Sequence, residues 1–399
     1  VSRLNIVAAI RDLEEPPGRG RTSVWGRSLR LVFGPLTALA GAALVLVGFD
    51  RGIGLLQIGA SLAAAGIAFT EVRVRGEPDV EAVEAAVELA RAARPELVIG
   101  LGGGSALDTA KAVAGLTPQP GTLLDHLEVV GRGQPLAAAP LPVVAIPTTA
   151  GTGAEVTQNA VIAVPERRFK ASIRSPRLVP RLALVDPALT DSVPPDVTAA
   201  TGLDALTQLI EPYVSCRAQP LTDGLALTGI RLVAGALERA FHDGADTAAR
   251  DDLALAALLG GICLANAGLG AVHGFAAPLG ASFPVPHGVA CAALLPYVMR
   301  ANVAALRAGA GPDHALRRYA EIGALLAGPR PNATEDVDAG IAWVAALVRA
   351  LRIPPLGAYG VTPAAVPDLV ARARQASSMR GNPIVLGDDA LAAILVAAL

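Results

Sequence analysis

A glycine-rich turn between a buried strand and a helix constrains this chain most. Residues 97–101, Leu-Val-Ile-Gly-Leu, are typical of a strand covered on both faces, and a helical pattern follows at 106–114. Between them stand Gly-Gly-Gly-Ser at 102–105. Residues without Cβ let backbone N–H groups approach a phosphate at the positive end of a helix. Because the spacing is not GxGxxG, the turn alone is equally consistent with a phosphate site and with a tight turn.

Short apolar strands alternate with helical patterns through the first half of the chain. The predicted strands are 43–47, 72–74, 97–101 and 143–146, and the predicted helices are 52–68, 80–93 and 106–114. This alternation predicts a parallel sheet with helices on both faces. Beyond Pro194 and Pro195, long Ala- and Leu-rich helical patterns replace it. We therefore expect a loose N-terminal arm (1–26), an α/β domain (27–189) and an all-helical domain (190–399).

Composition narrows the class of protein. A chain of 399 residues exceeds what one core usually organises, and 52% apolar with 17% charged residues excludes disorder. A net charge of −2 provides no field for nucleic acid or an anionic bilayer. The three cysteines, Cys216, Cys263 and Cys291, have no CxxC spacing, so neither a disulfide framework nor a cysteine zinc site is indicated. A reducing cytoplasm is the predicted location.

Uncharged stretches raise a membrane alternative. Residues 31–49 and 52–70 are each about long enough to cross a bilayer, and residues 253–299 contain no Asp, Glu, Lys or Arg. The first two runs are rich in Ala and Gly, which gain little from insertion, and 3% aromatic residues leave few for interfacial belts. We therefore expect these stretches to be buried in protein, without contact to a membrane.

Three polar features accompany the strands. Asp50 follows the first strand, where a carboxylate can accept bonds from the two hydroxyls of a ribose, although a solvated aspartate fits as well. Residues 147–153 supply three threonine hydroxyls after the fourth strand. Asp108 stands one turn into the helix after the glycines, where it either receives hydroxyls or complements the helix dipole.

A second polar group falls in the helical half. Asp204, Gln208 and Glu211 are spaced i, i+4 and i+7, so they share one face of an otherwise apolar helix and require partners. His273 and His287 lie in the uncharged stretch and are the natural partners. A single histidine there is usually a hydrogen-bonded core residue, but two facing a buried carboxylate make a metal or catalytic site an equal alternative.

These motifs together resemble the iron-containing (group III) alcohol dehydrogenases, whose relatives include maleylacetate reductases. The matching stretches are 46–52, 102–111, 147–157, 182–189, 201–215 and 272–296 with Asn302, the middle three-fifths of the chain. The resemblance implies a dehydroquinate-synthase-like fold, with an N-terminal dinucleotide-binding α/β domain and an all-helical C-terminal domain. The active site would lie in the cleft between the two domains.

The resemblance also implies site residues. The pyrophosphate would lie against Gly103, Gly104 and Ser105, and the rest of the cofactor site would be Asp50, Asp108, Thr148, Thr149, Thr152, Asn159 and Lys170. The family's divalent metal is held by one aspartate and three histidines. Asp204, His273 and His287 occupy three of those positions, and Gln208 occupies the fourth.

Three departures from the family pattern qualify this picture. Gln208 replaces an imidazole with a weaker amide ligand, so iron or zinc should be held loosely or not at all. Ala277 stands where many members carry a further histidine, and Phe49 where many carry a threonine. Asp50 is kept, so NAD is favoured over NADP, although the neighbouring Arg51 softens that preference.

The implied function is a cytoplasmic NAD(P)-dependent oxidoreductase, a homodimer that interconverts a small aldehyde or ketone and its alcohol and acts as a reductase. A bound metal would polarise the carbonyl oxygen; without one, His273 or His287 would supply the proton. Two alternatives stay open: a metal-independent enzyme similar to maleylacetate reductases, and a catalytically silent nucleotide-binding homologue.

Overall fold

The computed structural model describes residues 43–49, 53–309 and 311–399. The predicted arm, residues 1–26, lies outside these described residues. The strands in this part of the chain are β1 (Ala43–Phe49), β2 (Ala68–Val74), β3 (Leu97–Gly102), β4 (Val143–Pro147), β5 (Asn159–Val164), β6 (Phe169–Arg174) and β7 (Leu182–Ala183). Five of them form a parallel sheet in the order β2-β1-β3-β4-β7. The predicted parallel α/β sheet is thereby confirmed.

Helices cover both faces of the sheet. They are α1 (Ile53–Ala64), α2 (Val80–Ala93), α3 (Gly104–Leu116) and the short α4 (Leu123–His126). Successive residues of a strand point to opposite faces. Accordingly Val45 and Val47 join one apolar core with α2 and α3, whereas Leu44 and Leu46 join a second core with α1. Burial on both faces explains why the central strands β1, β3 and β4 contain no polar side chains.

The antiparallel hairpin β5-β6 was not predicted from the sequence. Its first strand alternates buried and half-buried residues, with Ala160, Ile162 and Val164 on the buried side. Ala at two of its six positions weakens the β-branched signal by which short strands are identified. Pro165 begins a single helical turn between the strands, and Arg168 closes that turn with a positive φ of 47°.

The second half of the chain is helical, as predicted. Its helices are α5 (Pro195–Val214), α6 (Pro220–His242), α7 (Thr247–Ala267), α8 (Ala271–Ser282), α9 (His287–Arg307), α10 (Asp313–Ala327), α11 (Ala333–Ala350), α12 (Val366–Ala373) and α13 (Asp388–Ala397). They enclose one large apolar core. Among the described residues, α9 is the one single helix long and apolar enough to cross a membrane, and 72% of its apolar window is buried. Such burial is typical of the core helix of a folded domain.

Three strand ends are aligned at one edge of the sheet. Gly102 of β3 pairs with Pro147 of β4, and Gly48 of β1 pairs with Leu101. The glycine turn (residues 102–105) and the threonine loop (residues 147–153) therefore leave the sheet side by side. In open α/β sheets ligands bind outside this carboxyl edge.

At Gly153 the threonine loop touches the helical domain backbone to backbone. Gly153 has a φ of +60°, and a Cβ on it would lie 2.4 Å from Cα of Gly261 in α7. A Cβ on Gly261 would lie 2.4 Å from the Gly153 carbonyl oxygen. No side chain fits at either position, so these two glycines set the distance between the domains.

We expect Gly261→Ala to destabilise the protein by about 1–3 kcal/mol, because the added methyl forces the loop and α7 apart. The matched control is Gly235→Ala in α6, where a Cβ meets nothing within 4 Å. That change should stabilise by roughly 0.5–1 kcal/mol, since Ala favours helix over Gly. Urea denaturation of both variants measures the difference. Equal stability of the two would contradict the close contact.

Candidate active site

The N-terminus of α3 is built to receive an anion. Gly103 caps the helix without a side-chain hydrogen bond, and the first turn contains no acidic residue, so the positive helix end is not neutralised internally. A Cβ on Gly104 would lie 2.9 Å from Cγ2 of Thr152, and one on Gly103 3.2 Å from Oγ1 of Thr149. The glycines thus bring the threonine loop close to the helix end, as their shared sheet edge predicts.

Lys111 is a buried residue of α3 that binds several segments at this edge of the sheet. Its fully buried ammonium donates to the carbonyl oxygens of Ala154 (2.9 Å) and Asn159 (2.5 Å) and to Oγ1 of Thr157 (2.9 Å). It also forms an ion pair of 2.8 Å with Asp108. The interior lysine therefore holds the loop after β4 and the start of β5 against α3.

Asp108 does more than complement the helix dipole. Its second oxygen accepts a hydrogen bond of 3.0 Å from the Val161 amide of β5. The carboxylate is thus paired on both oxygens while its side chain keeps 14% exposure at the cavity.

The helical domain presents one polar helix face, as predicted. Asp204, Gln208 and Glu211 of α5 are all buried, with exposures of 1%, 2% and 4%. Glu211 accepts bonds from the Val272 amide (2.7 Å) and from Nδ1 of His273 (2.6 Å). It therefore satisfies the N-terminus of α8 and fixes the His273 ring, with Nε2 turned toward Asp204.

Four potential metal ligands converge beside Asp204. Oδ1 of Asp204 lies 3.3 Å from Nε2 of His273 and 3.6 Å from Nε2 of His287. Sγ of Cys291, one helical turn after His287 on α9, lies 3.7 Å from each of these nitrogens. The ligand atoms of Asp204, His273, His287 and Cys291 all lie within 4.8 Å of one another. We call these four residues the donor cluster.

The ionisable side chains of the donor cluster stabilise one another's charged forms. Burial opposes ionisation of Asp204, but the imidazoles of His287 and His273 outweigh it and lower the pKa of the carboxyl to about 2. Burial likewise opposes protonation of His273, whereas Cys291 and Glu211 raise the pKa of its imidazole well above the usual range. The cluster therefore favours a positive charge at its centre.

Two unpartnered atoms show that the donor cluster suits a metal ion. Oδ1 of Asp204 and Oε1 of Gln208 are buried and accept no hydrogen bond from the part of the chain that the structure describes. An unpaired buried oxygen is costly, and a carboxylate, two imidazoles and a thiol form a donor set typical of a divalent transition metal. Gln208 is also engaged elsewhere, because its Nε2 donates to the Gly151 carbonyl at 3.3 Å.

One cavity of about 800 Å³ joins the two halves of the site. Of the predicted residues it is lined by Gly104, Ser105, Asp108, Thr152, Asn159, Lys170, Gln208, His273 and His287. Asp204 lies behind the two histidines. Gly103, Thr148 and Thr149 stand beside the lining residues at the sheet edge, and Asp50 lies outside the described residues.

Lys170 faces this cavity from β6. Its ammonium pairs with Glu77 at 2.5 Å, and its side chain keeps only 7% exposure. The cavity wall also contains Ala277, which offers no titratable group at that position.

Sequence reasoning missed one member of the donor cluster. Cys291 has no zinc motif around it, although its i+4 spacing from His287 places both on one helix face. The predicted pairing of the polar face of α5 with His273 and His287 is confirmed. The sequence does not say that Glu211 is the residue that bonds Nδ1 of His273, because that contact joins two helices.

Comparison with known proteins identifies the family. The iron-containing alcohol dehydrogenase family matches residues 32–187, and the C-terminal part of the Fe-containing alcohol dehydrogenase family matches residues 198–399. Long-chain-alcohol dehydrogenase 1 of Geobacillus thermodenitrificans is 40% identical over 327 residues, 81% of this chain and 80% of that protein.

Solved structures agree with this match. A 1,3-propanediol oxidoreductase superposes with a TM-score of 0.84 at 31% identity, covering 93% of this chain and 96% of its own. Sulfoacetaldehyde reductase from Bifidobacterium kashiwanohense, solved with NAD⁺, gives 0.80 at 28% identity, covering 94% and 95%. The chain belongs to the iron-containing alcohol dehydrogenase family and is an oxidoreductase acting on CH–OH groups. The resemblance seen in the sequence is thereby confirmed.

Glu155, in the single helical turn Ala154–Val156 that follows the threonine loop, makes stability depend on pH. Burial raises its pKa from 4.5 to about 7, against the opposing effect of Lys111. Because the folded pKa exceeds the unfolded one, the stabilising contribution is complete below 4.5 and is lost as pH rises through about 7. Glu155→Gln should remove this loss.

We therefore expect the stability of Glu155→Gln, relative to the parent, to rise by up to about 3 kcal/mol between roughly pH 5 and pH 8. Denaturation at several pH values measures it, with the exposed Glu166→Gln as control. Parallel pH profiles for parent and variant would contradict the assignment.

Proposed function

We propose that this chain reduces a small aldehyde or ketone with a nicotinamide dinucleotide bound in the cavity between the sheet edge and the donor cluster. The observation that carries the proposal is that one cavity contains both the free helix end at Gly104 and the imidazoles of His273 and His287. An anion site and a Lewis-acid or proton site within one cleft are what hydride transfer to a carbonyl requires.

The sheet edge would bind the dinucleotide. The amides of Gly103, Gly104 and Ser105 at the start of α3 would hold the pyrophosphate, since the helix end carries no acid of its own. Further polar contacts would come from Asp108, Thr148, Thr149, Thr152, Asn159 and Lys170 around the same edge. The B. kashiwanohense reductase was solved with NAD⁺, which supports a nicotinamide cofactor here.

The donor cluster would hold a divalent metal through Asp204, His273 and His287, with Gln208 beside them. A bound metal supplies Lewis-acid polarisation of the carbonyl oxygen. Glu211 fixes the orientation of the His273 ring by accepting its Nδ1–H. Without a metal, His287, with 37% side-chain exposure, is the member of the donor cluster placed to pass a proton to the cavity.

Reduction should be favoured over alcohol oxidation at neutral pH. Ala277 leaves the cavity wall without a base at that position. A neutral amide at Gln208 in place of an imidazole also weakens stabilisation of an alkoxide. With no metal on its ring, His287 would be the acid of reduction and the base of oxidation. Burial opposes its protonation, but Cys291 and Asp204 raise the pKa of the imidazole, and the protonated form serves reduction.

We expect Gly104→Val to weaken NADH binding by about tenfold or more, because its side chain enters the gap toward Thr152 and the pyrophosphate. The control is Gly224→Val, at an exposed position of α6 where a Cβ meets nothing within 4 Å. Fluorescence titration with NADH measures both affinities. Unchanged affinity in a folded Gly104→Val protein would place the cofactor elsewhere.

The sequence also favours NADH over NADPH. Asp50 directly follows β1, where a carboxylate accepts the ribose hydroxyls and repels a 2′-phosphate. Steady-state assays of both directions at pH 7 with all four cofactor forms test this choice. We expect reduction with NADH to be the most efficient, and Asp50→Gly to narrow the gap to NADPH. A preference for NADPH contradicts the cofactor choice, equally efficient oxidation contradicts the direction, and no turnover favours a silent homologue.

A further inference from the structure

We propose that the sulfur of Cys291 is the fourth ligand of the metal, so that the centre is an Asp-His-His-Cys site that favours zinc over iron. The inference rests on the proposed metal-assisted function. It changes the ligand set from the one the sequence suggests, in which Gln208 takes the fourth position.

The separations of the donor atoms carry the proposal. A tetrahedral zinc with Zn–N and Zn–O near 2.0 Å and Zn–S near 2.3 Å requires about 3.3 Å between N and O ligands and about 3.5 Å between N and S. Nε2 of His273 lies 3.3 Å from Oδ1 of Asp204, and Sγ of Cys291 lies 3.7 Å from each imidazole nitrogen. Nε2 of His287 lies 3.6 Å from Oδ1 of Asp204, so these four separations are close to those that one tetrahedral ion requires.

The local structure explains why the sulfur points inward. His287 begins α9 directly after Pro286, and Cys291 follows at i+4, so both side chains lie on the same helix face. Cys291 has no exposed surface. Among the described residues its sulfur contacts the polar atoms Nε2 of His273 and Nε2 of His287, both metal-ligand candidates themselves. A purely structural cysteine does not need such polar surroundings.

Gln208 is less suited to the fourth position. Its Nε2 is directed at the Gly151 carbonyl of the threonine loop, which limits how far the amide can turn. A neutral amide oxygen is also a weaker ligand for a transition metal than a thiolate. We infer that Gln208 links the donor cluster to the loop and that Cys291 completes the coordination.

A thiolate changes which metal is preferred. Soft sulfur ligands select zinc among the common divalent ions, and zinc also lies above iron in the general affinity order. The four residues of the donor cluster would hold the ion, which would supply Lewis-acid polarisation to a carbonyl. The partly exposed side of His287 is where the donor cluster faces the cavity.

Cobalt(II) alone is the probe for sulfur ligation. The full chain is freed of metal with a chelator and titrated with Co²⁺, and we expect one ion per chain with a sulfur-to-cobalt charge-transfer band in the near ultraviolet. Cys291→Ser should lose this band and bind zinc about tenfold or more weakly, measured by competition with a chromophoric chelator. The control is Cys263→Ser, a buried thiol on α7 whose neighbour is the Thr222 carbonyl; it should keep both.

Gln208→His separates the two ligand assignments. If Cys291 is the ligand, this variant keeps the charge-transfer band and gains little zinc affinity. A gain of about tenfold or more without a sulfur band would assign the fourth position to residue 208 and overturn the proposal. A parent protein that binds no cobalt, or binds it without the band, overturns it equally.

X-ray absorption of the zinc-loaded parent tests sulfur ligation without a substitution, so the result does not depend on the folding of a variant. We expect one sulfur scatterer at about 2.3 Å, and a shell of nitrogen and oxygen alone refutes the proposal. Turnover assays keep the two proposals distinct. Sulfur ligation without NADH-dependent turnover removes the proposed function alone, and turnover without sulfur ligation removes this inference alone.

Discussion

A carboxylate buried inside an apolar helical domain is the constraint on which the site depends. Asp204 keeps 1% exposure in the middle of α5, where neighbouring leucines fill the core. An isolated buried charge is very costly, so it must be paired with positive charge. His273 and His287 supply that pairing from two further helices. The convergence of α5, α8 and α9 is therefore an electrostatic requirement as well as a matter of packing.

The α/β domain contains a matching arrangement of opposite sign. Lys111 keeps no exposed surface, and Asp108 with three oxygen acceptors compensates it. Because two of those acceptors are backbone carbonyls of the segment after β4, the lysine holds that segment against α3. This explains why a chain with only two lysines keeps one of them in its interior.

What the sequence predicts well is local. The strand, glycine turn and helix at 97–114, and the shared face of Asp204, Gln208 and Glu211, follow from periodicity and from residues adjacent in the chain. Lys111 reaching Asn159, or Glu211 reaching the His273 ring, depends on elements far apart in sequence. The position of the Cys291 sulfur depends on three helices at once, so spacing alone leaves it ambiguous between core and ligand.

The two buried networks meet at the threonine loop. Lys111 holds Ala154 on one side, while Gln208 donates to Gly151 on the other, three residues earlier. Between these anchors Gly153 touches Gly261 without an intervening side chain. A shift of the loop toward a bound dinucleotide would therefore pull on the amide beside Asp204. Gln208 stands where the family pattern has a histidine ligand. The position therefore loses a metal ligand, and the glutamine there connects the threonine loop, on the cofactor side of the cavity, to the donor cluster.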